Sequence, residues 1–381
     1  MKKKRICFIV AIPGTAQAFL ADHIRSLSGE YDVFLVANSE KPLAIADLPL
    51  AGYHIVGIER GISILKDVKG VLGLRRYFNE MHFDAVHSVT PKAGLLTALA
   101  GSMERVPIRV HIFTGQVWAN KKGFSRWLLK LMDKIIANLD THILVDGEGQ
   151  RRFLIKNRVV SESKSLVLGK GSISGVNLNR FSPSSEARNS VRTELNISEG
   201  TIVFVFLGRL NHDKGMFELL LAFDRLAKEY KSVYLLLVGR DEENISDHFS
   251  EYDHIAPKEN FCYFGPTNEP QRLLQAGDVF VLPTYREGFG SSVIEASALG
   301  LPVICSDAYG VMDAMVDGVT GLRCRVGDSE SLYRAMLSYV ENPELIKQYG
   351  EAGRRRVAAD YDGANMSRLW VEFYRRILPA D

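Results

Sequence analysis

Cysteine is scarce in this chain: only Cys7, Cys262, Cys305 and Cys324 occur among 381 residues, and no two form a CxxC pair. No histidine accompanies them at metal-ligand spacing, which argues against a zinc site. Cysteines so far apart give no disulfide framework, so a reducing compartment is expected. Long hydrophobic runs are missing too. No stretch approaches the roughly 18 apolar residues that read as a bilayer span. There is no internal repeat and no low-complexity tract. The first apolar run is not followed by GxGxxG, which argues against a nicotinamide-dependent oxidoreductase. Met1-Lys2-Lys3-Lys4-Arg5 followed by Ile6–Ile12 imitates a signal peptide. Pro13-Gly14 ends that run early and no small-residue cleavage pattern follows, so a buried first strand is expected instead.

What is present describes a globular protein. Hydrophobic residues make up 46% and charged residues 24%, a balance that excludes a disordered or fibrous chain. At about 100–200 residues per domain, the length predicts two domains. The formal net charge of +2 hides an asymmetry. Residues 1–170 carry 25 Lys and Arg against 15 Asp and Glu, or +10; residues 171–381 carry 22 against 30, or −8. Opposite charges on the two parts point to partners with different electrostatics.

Short apolar runs alternate with longer amphipathic ones. Ile6–Ile12, Val33–Ala37, Asp84–Ser88, Arg109–Phe113 and His142–Val145 read as strands, with helices at Thr15–Leu27 and Lys92–Gly101. A second series comprises Thr201–Leu207, Val233–Val238, Asp278–Leu282 and Pro302–Ser306, separated by helices at Met216–Glu229, Gly290–Leu299 and Glu330–Glu341. Such alternation predicts parallel sheets covered on both faces. The series breaks around residues 168–178, placing a linker between an N-terminal domain, 1–170, and a C-terminal domain, 171–360. A last helix, Asn365–Leu378 within 361–381, is expected to pack back on the first domain. The fold class is therefore α/β, with two Rossmann-like doubly wound domains expected to face a central cleft.

Chemistry concentrates at two strand ends in the second series. Phe204–Leu207 runs into Gly208-Arg209-Leu210, and Asn211-His212-Asp213-Lys214-Gly215 opens a helix. A guanidinium that can grip two oxygens and a mobile ammonium, beside helix-start N–H groups, suit a diphosphate. The same cluster is also consistent with a solvated turn. Downstream, Pro283–Glu295 carries Glu287 before a Gly288-Phe289-Gly290 turn and Glu295 within the following helix, with Ser291 and Ser292 placed to cap it. One carboxylate can reach a sugar while the other takes vicinal ribose hydroxyls.

On these residues, and on Ala296–Gly300 leading into Leu301-Pro302-Val303-Ile304, the chain resembles the family-four retaining glycosyltransferases of GT-B fold. The resemblance implies a nucleoside-diphosphate sugar as donor. It assigns Arg209 and Lys214 to the diphosphate, Glu287 to the donor sugar and Glu295 to the ribose. Backbone N–H groups of Gly288–Ser291 would assist the phosphate, and Gly208 would lie beside it. Gly14, Arg240 and Pro266 fall where the family contacts the rest of the donor and its base. No DxD-type cluster stands at the expected phosphate site, so no obligatory metal or cofactor is expected beyond the UDP-sugar substrate.

The basic N-terminal part holds the acceptor candidates. Thr90-Pro91-Lys92 begins a helix, and Lys92 beside free N–H groups suits a phosphate, or simply solvent. Residues 124–139 place Phe124, Trp127, Leu128, Leu131, Ile135 and Leu139 on one helical stripe, flanked by Lys121, Lys122, Arg126, Lys130 and Lys134. Such a helix can lie on an anionic membrane surface, or pack in a core. The order of Thr-Pro-Lys-Ala-Gly-Leu-Leu, Phe-Thr-Gly-Gln-Val-Trp and Gly-Ser-Ile-Ser-Gly-Val resembles a bacterial subgroup of the same family that extends polyprenyl-diphosphate-linked glycans. That resemblance implies a lipid-diphosphate acceptor held by Lys92, Thr114, Lys121, Lys122 and Arg126, and a cytoplasmic protein peripheral at the inner face of the cell membrane. Many relatives carry His directly before the central glycine; here Thr114 precedes Gly115, and His111 is the remaining catalytic candidate. A UDP-sugar epimerase of similar architecture is the rival reading. Nucleic-acid binding is not expected, since the basic residues form no reading motif.

Overall fold

The structure is a computed structural model and describes residues 3–40, 45–59, 61, 63–255 and 259–379. Met1 and Lys2 of the basic start, and residues 380 and 381, lie outside the described residues. Two compact units emerge: the chain up to Gly175 together with Gly363 onward, and Val176–Asp362.

The first unit contains β1 (Arg5–Ile9), α1 (Pro13–Phe19), α2 (Ala21–Leu27), β2 (Asp32–Ala37), β3 (Gly52–Ile55), α3 (Ile64–Met81), β4 (Ala85–Val89), α4 (Pro91–Met103), β5 (Ile108–Phe113), α5 (Gly123–Leu139), β6 (His142–Val145), α6 (Glu148–Lys156) and β7 (Ser165–Leu166). The second contains α7 (Ser185–Glu194), β8 (Ile202–Leu207), α8 (Met216–Glu229), β9 (Val233–Val238), β10 (Phe261–Gly265), α9 (Pro270–Leu274), β11 (Val279–Leu282), α10 (Ser291–Ala298), β12 (Val303–Ser306), β13 (Gly321–Cys324), α11 (Ser329–Glu341) and α12 (Glu344–Asp360). The last helix, α13 (Gly363–Ile377), belongs to the first unit.

The strand orders are β3-β2-β1-β4-β5-β6-β7 and β10-β9-β8-β11-β12-β13. All pairings are parallel. Each order reverses direction once, between β1 and β4 and between β8 and β11. Loops leaving the carboxyl ends there diverge to opposite faces and leave a crevice for ligands. The central strands are continuous apolar runs because both faces are covered. Val203, Phe204, Val205 and Phe206 are fully buried, as are Leu235, Leu236 and Leu237.

The strands that apolar runs do not reveal, β3, β7, β10 and β13, are the four sheet edges. An edge strand has one free flank, and Gly52–Ile55 or Gly321–Cys324 needs little apolar content. The single helix expected over Thr15–Leu27 is two. Leu20 leaves helical geometry at φ −119° and ψ −12°. Its side chain is fully buried, so packing rather than a Gly or Pro sets the break. Long α3 escapes notice for another reason: Ile64, Leu65, Val68 and Leu72 are exposed, while Leu74, Tyr77 and Phe78 face the core. Apolar residues on both sides blur the helical stripe.

α13 shows how the chain end is fastened. Met366, Trp370, Phe373 and Tyr374 recur at helical spacing and enter the first unit's core. Trp370 is stacked between His23 and His87, with ring centroids 4.5 and 5.0 Å away. His23 Nδ1 pairs with Ser367 Oγ at 2.9 Å, and His87 Nδ1 with Tyr374 OH at 2.8 Å. Burial lowers the His23 pKa to about 4, so the ring stays neutral in this contact near pH 7. Replacing Trp370→Ala empties the middle of the stack. It should cost about 3–5 kcal/mol of first-unit stability, read as an earlier first transition in urea denaturation; an unshifted transition would show that α13 is not needed to hold the unit.

Candidate functional site

In the second unit, three glycines line up across the ends of β8, β9 and β10. Gly208 N–H donates to Val238 O at 3.0 Å, and Gly239 N–H donates to Gly265 O at 2.9 Å. A Cβ on Gly239, at φ 143°, would sit 1.7 Å from Gly208 O. Arg240 and Pro266 follow these positions and are exposed.

After Gly208 the chain makes a tight 3-10 turn over His212–Lys214, capped by Asn211, whose side-chain oxygen accepts Lys214 N–H at 3.2 Å. Gly215 ends it at φ 71°; a Cβ there would lie 2.1 Å from Pro283 O, so only glycine lets the two loops touch. They are then stitched together. Asp213 O accepts Tyr285 N–H at 2.8 Å and Thr284 Oγ1–H at 3.0 Å. Arg286 binds the Asp213 carboxylate at 2.7 Å. The next residue on each loop completes the set, because Lys214 Nζ is ion-paired with Glu287 Oε1 and both are largely buried. Arg209 is half-exposed and pairs with Glu242 at 2.8 Å. Arg209, Lys214 and Glu287 thus stand on the two loops that leave β8 and β11 at the sheet's reversal.

Two details differ from expectation. The cap of α10 is Gly290, at φ 90°, and no side-chain cap bond forms. Ser291 already lies inside the helix, so the first-turn N–H groups keep no hydroxyl partner at the cap. Phe289 is buried edge-on against Tyr361, with centroids 5.2 Å apart. Its ring anchors the loop, which leaves only the backbone of residues 288–290 to approach a ligand.

Glu295 lies one turn into α10, partly buried, and its carboxyl forms no hydrogen bond or ion pair with another described side chain. Desolvation raises its pKa to about 7, with the charge of Arg180 opposing the rise.

In the first unit, Gly14 sits in the opening turn of α1 with open space at its Cβ position. Across the reversal, α4 begins after Thr90, which is held at φ 84° with a buried Oγ1 that has no hydrogen-bond partner. Residue type and spacing do not show the strain at Thr90, although strain and an unsatisfied hydroxyl at a strand end often mark a functional position. Lys92 is less available than expected. Its ammonium binds Asp67 at 2.5 Å and Gly61 O at 2.8 Å, so a phosphate would have to displace Asp67. Thr114 is half-buried at the end of β5. Arg126 has structural partners as well: its Nη1 donates to Ala119 O at 2.7 Å and the guanidinium lies over the Trp118 ring. Lys121 and Lys122 are exposed. His111 lies inside β5, fully enclosed, bonded to Ser88 Oγ at 2.8 Å and directly against Gly94. Burial pulls its pKa down to about 3. It is a neutral core histidine at the position the sequence offers for catalysis.

The expected apolar stripe of α5 turns outward at Phe124, Trp127 and Leu131, while Leu128, Ile135 and Leu139 are half-buried. Phe124 and Trp127 are 74% and 58% exposed and stack on each other, with Leu131 beside them. The inward face is Asp133, Ile136 and Ala137, with Asp133 accepting the Trp118 indole N–H at 2.7 Å.

Comparison with known proteins fits this arrangement. A domain described as Glycosyl transferases group 1 matches residues 187–356, and a Glycosyl transferase 4-like domain matches residues 14–171. The capsular polysaccharide biosynthesis glycosyltransferase CapM of Staphylococcus aureus is 31% identical over 86% of this chain and 85% of its own length. This chain belongs to the family-four glycosyltransferases. The UDP-Gal:alpha-D-GlcNAc-diphosphoundecaprenol alpha-1,3-galactosyltransferase of Escherichia coli is 26% identical over 83% of this chain and 82% of its own. Anabaena HepE, solved in complex with UDP, shares the fold at a TM-score of 0.78 and 18% identity, covering 99% of this chain and 100% of that one.

The GT-B fold expected from the sequence is therefore present as two Rossmann-like units of a glycosyltransferase. Sequence reading assigned no role to Asp213, Thr284 and Arg286, the residues that join the two site loops. Their types are ordinary, and only contact gives them meaning. Among the described residues no group of three or more His, Cys, Asp or Glu is arranged to hold a metal ion.

Glu295 gives the site a measurable pH signature. Its folded pKa of about 7 exceeds its ordinary value of 4.5. The folded protein therefore holds an extra proton between these values, and stability falls as pH rises through that window. Glu295→Gln removes the ionisation. The variant should match wild type in urea denaturation at pH 4.5 and exceed it at pH 8; equal stability at pH 8 would place the carboxyl in water.

Proposed function

We propose that this glycosyltransferase moves a hexose or N-acetylhexosamine from a UDP-sugar to a lipid-diphosphate-linked sugar, with retention of anomeric configuration, in surface polysaccharide or glycoprotein glycan assembly. The observation that carries the reading is the pairing of Lys214 with Glu287 across the two loops at one sheet reversal, with Arg209 on the first of those loops and Glu295 on the helix after the second. In the reaction the bond between the sugar's anomeric carbon and the diphosphate oxygen breaks, and its electron pair leaves with UDP. The acceptor hydroxyl oxygen bonds to that carbon and passes its proton to the departing diphosphate oxygen. Arg209 and Lys214 would neutralise the charge growing on the departing phosphate, electrostatic catalysis by prearranged cations. Because these cations stand where charge develops, no obligatory metal is proposed.

Glu287 would orient the donor sugar, and Glu295 would accept two ribose hydroxyls once ionised. Gly208, Arg240 and Pro266 would border the nucleotide, with backbone N–H groups of Gly288, Gly290 and Ser291 on the phosphate; Gly14 would complete the donor side. Support for UDP and for a lipid diphosphate comes from the names of the Escherichia coli relative and the Anabaena structure. Transfer is favoured over epimerisation because the matching families and relatives are transferases.

The acceptor reading rests on the first unit, with Lys92, Thr114, Lys121 and Lys122 as its polar contacts. No helix among the described residues is long and apolar enough to cross a membrane. The exposed Phe124 and Trp127 beside Lys121 and Lys122 instead suit docking on an anionic leaflet, at about 1 kcal/mol per well-placed cation. On α3, Ile64 and Leu65, 76% and 80% exposed, add apolar surface of the same kind. The protein would then work at the inner face of the cell membrane.

Two experiments test the proposal. Arg209→Ala and Lys214→Ala should each lower turnover of a UDP-sugar on a lipid-diphosphate-linked acceptor by tenfold or more, the loss expected for a charge-assisted bond of roughly 1.5–3 kcal/mol. Wild-type turnover should survive chelation with EDTA, and omission of the acceptor should yield no sugar isomer. Near-normal rates in both variants reject the diphosphate assignment, whereas rapid isomer release revives the epimerase reading. Separately, Lys121→Glu with Lys122→Glu should reduce sedimentation with vesicles containing anionic lipid; unchanged sedimentation would leave α5 without a membrane role.

A further inference from the structure

Each phosphate-binding group proposed on the β8 loop already holds a carboxylate. The segment after β9 runs alongside that loop, with Leu210 N–H donating to Arg240 O at 2.8 Å and Glu242 N–H donating to Leu210 O at 3.0 Å. Asp241 folds the segment into a tight turn by accepting N–H groups from Glu243 at 3.2 Å, Ile245 at 2.9 Å and Ser246 at 2.9 Å. Two carboxylates follow from that turn. Glu242 Oε2 accepts from Arg209 Nη1 at 2.8 Å and from Asn211 Nδ2 at 3.2 Å. Glu243 Oε2 accepts the backbone N–H of His212 at 2.8 Å, the first residue of the 3-10 turn.

We propose that Glu242 and Glu243 are an internal stand-in for the donor's phosphates, occupying the guanidinium and the turn N–H until a nucleoside diphosphate displaces them. This rests on the reading of Arg209 as a diphosphate ligand. Carboxylate and phosphate oxygens seek the same donors, and their like charges forbid both from sharing the site. Donor binding therefore swings the two glutamates away, and the half-exposed setting of Arg209 and Glu242 lets the exchange pass through water. The pair also sets a threshold. A diphosphate, reaching several donors at once, outcompetes the glutamates, while a weak monoanion does not.

UDP binding by calorimetry decides the matter. The double variant Glu242→Gln with Glu243→Gln keeps the size of both side chains and one accepting oxygen on each but loses the competing charge. It should bind UDP about tenfold more tightly than wild type, and inorganic phosphate should gain measurable affinity. Unchanged or weaker UDP binding in this variant, with binding still lost in Arg209→Ala, overturns the stand-in and leaves the diphosphate site intact. Undiminished UDP binding in Arg209→Ala alone overturns the diphosphate assignment itself, and the stand-in with it. Adding Arg209→Ala to the double variant should remove the share of the gain that comes from Glu242, and a gain of undiminished size also overturns the proposal.

Discussion

The carbonyl oxygen of Asp213 is the joint on which the second unit's site depends. It takes one hydrogen bond from the Tyr285 backbone and another from the Thr284 hydroxyl, while the Asp213 carboxylate holds Arg286. Two loops that leave neighbouring strands in opposite directions are thereby held in contact, and glycine at position 215 permits the approach. The pairing of Lys214 with Glu287 follows, since each is the next residue along its loop. Parallel strands supply the rest of the geometry, because every carboxyl end of the sheet emerges on one side.

Charge in this site is balanced internally. Lys214 answers Glu287, Arg209 answers Glu242, and Arg286 answers Asp213. A partly buried cation without a partner would be costly, and the protein supplies carboxylates of its own. Glu295 is the exception. Burial desolvates its carboxyl and raises its pKa to about 7, with the charge of Arg180 opposing the rise. Natural proteins accept such local instability where a ligand supplies the missing bonds.

The first unit divides its side chains differently. Buried histidines, a tryptophan and a tyrosine fasten α13 to α2 and to the sheet, and His111 is likewise a core residue. Outside, α3 and α5 keep large apolar side chains in water, Trp127 and Leu65 among them. Exposure on that scale is unfavourable for a helix with no other surface to meet. The basic excess of the N-terminal half places positive charge in the same part of the chain.

Much of this was legible in the residues themselves. Central strands of both sheets read as apolar runs because burial on both faces demands it, and the two glycine-bearing loops stood out for the charges beside them. Edge strands, the break at Leu20 and the long α3 were not legible, since each depends on what the chain packs against. Arg126 and Lys92 illustrate the same limit at the site. Both read as free cations, yet one is folded over Trp118 and the other is bound to Asp67. Residue type and spacing determined the α/β class, the family and the candidate donor-binding residues, because strand burial and phosphate chemistry restrict which amino acids can serve. Which charges are free, which are paired, and which apolar stripe faces water was decided only by tertiary structure, because each is a property of the neighbours that folding brings to a side chain.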